Sequence, residues 1–260
     1  GSQELYTPEH IVAQHDVIVI TFNYRLGALG FLDWSYFNSD YNKNNGLSDQ
    51  INALKWVHTF IKYFGGDSNN ITLMGQSAGS MSIMALMQRP ELDKYYHQVM
   101  LLSGTLTTDT PLNAHTKVQH FSQLMRHYFP NKTLRTLTSD DILYLMESQK
   151  IERGKSRGLD LIYQPIKDHH MSRSIKKFPK PTFMSYTHDE GDIYIEDATR
   201  TLPSERFIHL MSQYGTHVEK NDALTMKQQR NLITEYCFVR PIYLFLNQMN
   251  SCDTWLARFD

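Results

Sequence analysis

Residues 70–80 read Asn-Ile-Thr-Leu-Met-Gly-Gln-Ser-Ala-Gly-Ser, a short apolar run that passes straight into Gly-x-Ser-x-Gly. No other stretch restricts the fold as tightly. Thr72, Leu73 and Met74 read as a strand, bounded upstream by the turn-rich Gly65-Gly66-Asp67-Ser68-Asn69-Asn70. Met81, Ile83, Met84, Ala85 and Met87 follow as a largely apolar helix suited to burial behind a sheet. A serine between two such elements sits on a sharp strand-to-helix turn. That turn calls for small residues at Gly75 and Gly79, and it lifts the Ser77 hydroxyl clear of the sheet. It also aims the backbone N–H of Ala78 and the N-terminus of the helix at the point where an oxyanion would form. The residues therefore predict Ser77 as a nucleophile for acyl transfer. The plain alternative is a serine in an ordinary buried turn, which leaves the paired glycines at i−2 and i+2 unexplained.

The rest of the chain alternates strand and helix patterns. Asp16-Val-Ile-Val-Ile-Thr-Phe-Asn23 reads as a central parallel strand buried on both faces. Ile51, Leu54, Val57, Phe60 and Ile61 give residues 49–63 helical spacing. Residues 98–103 read as the next strand, ahead of Gly104. This alternation predicts an α/β fold with a right-handed, doubly wound, mostly parallel sheet. Residues 111–150 carry two helical patterns and 150–180 are basic and irregular, so 111–180 is read as an insertion in a single domain spanning 1–260. A strand returns at 182–187 and ends on His188-Asp189-Glu190-Gly191. Helical patterns cover about 203–214 and 222–247, the latter interrupted by Pro241. Residues 254–259 read as a final strand.

Four blocks carry a resemblance to the type-B carboxylesterases, the family that includes cholinesterases and bacterial para-nitrobenzyl esterases. They are Asn23-Tyr24-Arg25-Leu26-Gly27 with Gly30-Phe31-Leu32; Asn45-Gly46-Leu47-Ser48-Asp49-Gln50 with Ala53-Leu54-Lys55-Trp56-Val57; Phe64-Gly65-Gly66-Asp67 through Gly79; and Asp189-Glu190-Gly191. The resemblance implies an α/β-hydrolase fold and a serine carboxylesterase acting on a small-molecule ester, with no cofactor and no metal. It implies Glu190 as the acid of the catalytic triad, Ala78 as one oxyanion-hole donor, and a mostly buried Arg25–Asp49 ion pair beneath the site. Asp189 and Glu190 read without the family are a solvated turn pair. In the family a His-Gly-Gly loop lies just upstream of a segment like Gly1–Tyr6, and the catalytic histidine lies roughly 90 residues or more beyond the acid. The chain is therefore read as an internal, incomplete portion of an esterase, inert by itself. Three rivals share the scaffold: a non-catalytic, cholinesterase-like adhesion module, a thioesterase and a lipase.

Composition narrows the remaining possibilities. Lys and Arg total 26 against 27 Asp and Glu, a balance that gives no electrostatic argument for nucleic acid or an anionic membrane. No apolar run approaches the roughly 20 residues that span a bilayer. Cys237 and Cys252 are the two cysteines, read as reduced thiols of a cytoplasmic bacterial enzyme. Of the 12 histidines, His209 and His217 follow Glu190 too closely to be the base, and His188 is read as a site-wall residue. His15, His97, His115, His120 and His127 are read as surface residues, and the His169-His170 pair as a solvated loop without a third metal ligand. Oligomeric state is not legible.

Overall fold

The computed structural model describes residues 4–105, 107–154, 156, 158–216, 224–250 and 252–260. Its centre is a parallel sheet of β1 (Thr72–Gln76), β2 (Gln98–Leu102), β3 (Thr182–Thr187) and β4 (Thr254–Phe259), laid side by side in chain order. Because every described strand runs the same way, their C-terminal ends share one edge. The register aligns Gln76 with Leu102 and Leu102 with Ser185, so the residues that follow β1 and β2 emerge level with each other.

The helices are α1 (Glu9–Gln14), α2 (Gly27–Phe31), α3 (Asn45–Phe60), α4 (Ala78–Met87), α5 (Pro111–Tyr128), α6 (Ser139–Arg153), α7 (Ser204–Ser212), α8 (Met226–Ile233) and α9 (Arg240–Gln248). Helix α4, apolar on all sides, is the buried one, with Met84, Ala85 and Met87 fully enclosed. It joins Leu47 and Leu54 of α3, Val99 and Leu101 of β2, Met184 of β3, and Ile242 and Phe245 of α9 in the main core. A second cluster gathers Ile195, Phe207, Leu210, Ile233, Cys237 and Phe238. A third packs α5 and α6 against α2 through Ala28, Leu32, Val118, Phe121 and Leu145. The two helical patterns expected in 111–150 are thus real helices, seated on α2. The described residues within 154–181 are mostly irregular and include a short turn of 3₁₀-helix at Ile175–Lys177.

Three expectations need correction. Residues 16–23 form no strand, and Val17, Ile18, Val19, Ile20 and Phe22 are exposed. No described strand lies alongside to complete a ladder, and an apolar run becomes a strand only through such a partner. The helix expected at 49–63 begins earlier, at Asn45, because Asn44 turns the chain with φ +56° just before it, and ends at Phe60 before a 3₁₀ turn over Ile61–Phe64. The helix expected at 222–247 is α8 and α9 joined by a π-helical turn, Thr234–Val239. Pro241 explains the junction, since it has no N–H to donate to the carbonyl of Cys237 four residues back. The hydroxyl of Thr105 donates to that carbonyl instead, at 3.0 Å.

Candidate active site

Ser77 follows β1 directly and precedes the first residue of α4. Its φ of +51° and ψ of −117° lie outside the regions an L-residue normally occupies, and the side chain is exposed. Two contacts hold the turn in place. The Ser77 N–H donates to Leu102 O at 2.8 Å, and Ser77 O accepts the N–H of Met81 at 3.0 Å. A Cβ at Gly75 would stand 2.5 Å from the carbonyl carbon of Gly79, so strand and helix meet backbone to backbone there. Gly79 differs from the expectation. A Cβ there meets nothing within 4 Å outside its own helix and chain neighbours, so no clash demands this glycine. Ala78, Gly79 and Ser80 are the first residues of α4, whose N–H groups have no carbonyl within the helix to bond. Together with the positive end of the helix dipole they form a polar, donor-rich surface beside the Ser77 hydroxyl.

Ser103 follows β2, between the two candidate residues, with φ +48°, and donates its N–H to Ser185 O at 2.8 Å. A Cβ at Gly104 would meet the Ser80 side chain at 2.5 Å and Ser77 O at 2.8 Å, so this turn packs tightly against the nucleophile turn. The sequence gives no sign of this contact beyond the glycine itself.

Glu190 lies in the turn after β3, two strands from Ser77 along the same sheet edge, which is about 10 Å at the usual strand spacing. The carboxylate folds back so that Oε1 accepts the N–H of Thr187 at 2.7 Å. Among the described residues Oε2 has no hydrogen-bond partner. Glu190 is buried at 8% exposure, whereas the Asp189 side chain is 69% exposed and pairs with His188 Nδ1 at 2.9 Å. The two neighbouring carboxylates therefore differ sharply. One is fixed and enclosed behind the sheet edge, and the other is in solvent.

Arg25 and Asp49 meet through two parallel bonds, Nη2 to Oδ1 at 2.6 Å and Nε to Oδ2 at 2.8 Å, with the Arg25 backbone N–H adding a third at 3.0 Å. These bonds hold the Asp49 carboxyl below the usual carboxylate range. The pair is not the mostly buried one expected, since the arginine side chain is 49% and the aspartate 25% exposed. The tight packing lies in the backbone: a Cβ at Gly30 or at Gly46 would strike the Arg25 carbonyl oxygen, at 2.1 and 2.6 Å.

No histidine among the described residues hydrogen-bonds Ser77 or Glu190, and His217 and Gly1-Ser2 lie outside the described residues. His209 lies in α7, exposed. His97 is not a surface residue as expected. It is half-buried, and its Nδ1 accepts the N–H of Ile71 at 3.2 Å, just before β1. No group of three or more metal-ligating side chains occurs among the described residues, and no helix there is long and apolar enough to cross a membrane.

Over residues 1–260 the sequence matches the carboxylesterase family. The chain belongs to that family. The para-nitrobenzyl esterase of Bacillus subtilis (strain 168) is 31% identical over 278 residues, a match that takes in all of this chain and 56% of the relative. A juvenile hormone esterase of Tribolium castaneum is 44% identical over 116 residues, covering 44% of this chain and 19% of the relative. Among solved structures, a thermophilic PNB esterase superposes with a TM-score of 0.89 at 29% identity, over all of this chain and 57% of that one. The fold is accordingly the α/β-hydrolase fold. This carboxylesterase chain spans little more than half the length of the relatives it matches.

Proposed function

We propose that the chain carries the nucleophile and the acid of a serine carboxylesterase. Ser77 Oγ attacks the ester carbonyl as a base takes its proton. The negative charge that develops on the carbonyl oxygen is met by the Ala78 N–H at the start of α4. The alcohol leaves with that proton, an acyl-enzyme remains on Ser77, and water hydrolyses it. Glu190 orients the histidine base and stabilises its cationic form. One observation carries the reading: the strained Ser77 turn and the buried carboxylate of Glu190 occupy the same edge of a parallel sheet, two strands apart. The substrates are small carboxylic esters. No nucleic acid, metal or organic cofactor enters the scheme. The free thiols Cys237 and Cys252 suit a cytoplasmic setting.

The intact gene product, treated with a fluorophosphonate, should be labelled on Ser77 and should hydrolyse para-nitrophenyl esters. Ser77→Ala should abolish labelling and lower turnover by about 10⁴–10⁶-fold. Hydrolysis unchanged in Ser77→Ala overturns the assignment, and a folded protein with neither labelling nor turnover favours a binding module on the same scaffold.

A further inference from the structure

The turn that bears Glu190 does not stand alone. It is seated on the junction between α8 and the π-helical turn. A Cβ at Gly191 would lie 2.1 Å from the carbonyl oxygen of Arg230, so only glycine lets the turn approach the end of α8 this closely. The buried Gly191 N–H then donates to the side-chain hydroxyl of Thr234, at 2.8 Å and 43 residues away in sequence. Thr234 is the first residue of the π-helical turn. A threonine inside a helix ordinarily turns its hydroxyl to a carbonyl of its own preceding turn. Here the oxygen serves as an acceptor for another segment.

The far part of the same π turn is held too. The Thr105 hydroxyl donates to Cys237 O, and Thr105 belongs to the loop leaving β2 just after Ser103 and Gly104. Those two residues lie between Ser77 and Glu190 along the sheet edge. One irregular helical turn thus touches both the acid's turn and the loop that separates acid from nucleophile. With Oε1 of Glu190 held by Thr187 N–H on one side and Gly191 N–H held by Thr234 on the other, the carboxylate sits between two fixed backbone amides.

We propose that Thr234 is a positioning residue for the reaction, fixing the Glu190 carboxylate through the Gly191 amide so that Oε2 faces the base. The inference rests on the reading of Ser77 and Glu190 as members of a triad. Thr234 touches neither substrate nor reacting atoms. Its effect is exerted through the placement of the acid, and a displacement of about 1 Å in such a group can cost on the order of 100-fold in rate. A carboxylate held close to an imidazole favours the charged ring and raises its pKa, so a displaced carboxylate lowers it.

The test uses the intact gene product with four variants, each rate expressed per fluorophosphonate-labelled Ser77. Glu190→Gln tests the parent reading, with kcat expected to fall at least 1000-fold. Thr234→Val removes the acceptor at constant shape. It should lower kcat about 10- to 100-fold with KM within twofold, and move the acidic limb of the kcat/KM profile to lower pH. Thr234→Ser keeps the acceptor and should stay within about threefold of wild type in kcat. Thr234→Ala, which demands less of the packing, replaces Thr234→Val if the latter does not fold. A purely structural role would reduce the fraction of labelled enzyme while leaving the per-site kcat and the pH profile where they were. That result, or Thr234→Ser impaired as much as Thr234→Val, overturns the proposal while Glu190 retains its role. A fully active Glu190→Gln overturns both.

Discussion

A methyl group at position 75 would sit 2.5 Å from the carbonyl carbon of Gly79 and 2.8 Å from the amide nitrogen of Ser80. Both obstacles are backbone, so nothing can rotate away. Gly75→Ala should cost about 3 kcal/mol in urea denaturation, whereas Gly79→Ala, which meets no outside atom, should stay within about 1 kcal/mol of wild type. Equal costs would show that the motif's glycines serve one shared purpose. His97 makes a prediction in pH. Burial lowers its pKa first, Lys180 and His58 add repulsion, and Asp67 opposes them. The folded state therefore binds fewer protons than the unfolded one below the ordinary histidine pKa of about 6.5. Its contribution to stability is complete above that value and is lost as pH falls through it towards the folded pKa. Urea midpoints measured between pH 7.5 and 5 should decline, and His97→Gln should decline less steeply. At this scale the sequence is most legible where chemistry needs a fixed geometry. Ser77 follows from a short motif, whereas the Arg25–Asp49 pairing follows from the family resemblance. The choice of Glu190 over Asp189 came from the family resemblance alone, because burial of one carboxylate beside an exposed one is decided by how the turn folds back onto Thr187.

Asn44 shows how one residue can join distant elements. It holds φ +56° ahead of α3, and its side chain donates to Ile166 O at 2.7 Å and to Asp168 Oδ2 at 3.0 Å while accepting the Ile166 N–H at 2.8 Å. Asp168 also receives Arg89 at 2.6 Å. Asn44→Ala would strain the backbone and orphan buried groups of Ile166 and Asp168. It should cost about 2–4 kcal/mol, with hydrogen exchange accelerated at Ile166 and Met171. A loss under about 0.5 kcal/mol, the range of an ordinary surface change, would mean that water satisfies those groups. These long-range bonds explain why 150–180 resists a sequence reading. The segment has no period of its own, and its described residues Leu161, Ile166 and Arg173 are tied to α5, to the start of α3 and to α4. Periodicity recovered the four paired strands and most helices, since their apolar runs and spacings stand out between turn-rich segments. It failed at residues 16–23, where the pattern is right but a ladder partner is lacking. It also failed to distinguish a π-helical turn from a simple proline break.

Taken as a molecule, this 260-residue chain leaves much apolar surface uncovered. Ile18, Ile20 and Phe22 are exposed in the segment before α2, as are Met74 at one side of the sheet and Trp255 and Phe259 at the other. Patches and bare strand edges of this kind promote self-association. Expressed as these 260 residues, the protein should elute as concentration-dependent oligomers in light-scattering chromatography and bind a hydrophobic dye. It should also fail to hydrolyse para-nitrophenyl esters, since no histidine among the described residues hydrogen-bonds Ser77 or Glu190. A monodisperse monomer that turns over esters would refute both expectations. The π-helical turn has one more consequence at this scale. Residues before and within it, Ile233, Cys237 and Phe238, are buried in one cluster, and residues after it, Ile242 and Phe245, are buried in the main core. The irregular turn lets a single rod of chain serve two separate interiors, so neither interior can melt without tugging on the other. Damage to one should therefore be felt in the other: Phe207→Ala, far along the chain from β4, should loosen the amides of α9 together with those of α7, and the two should exchange hydrogen as one cooperative unit.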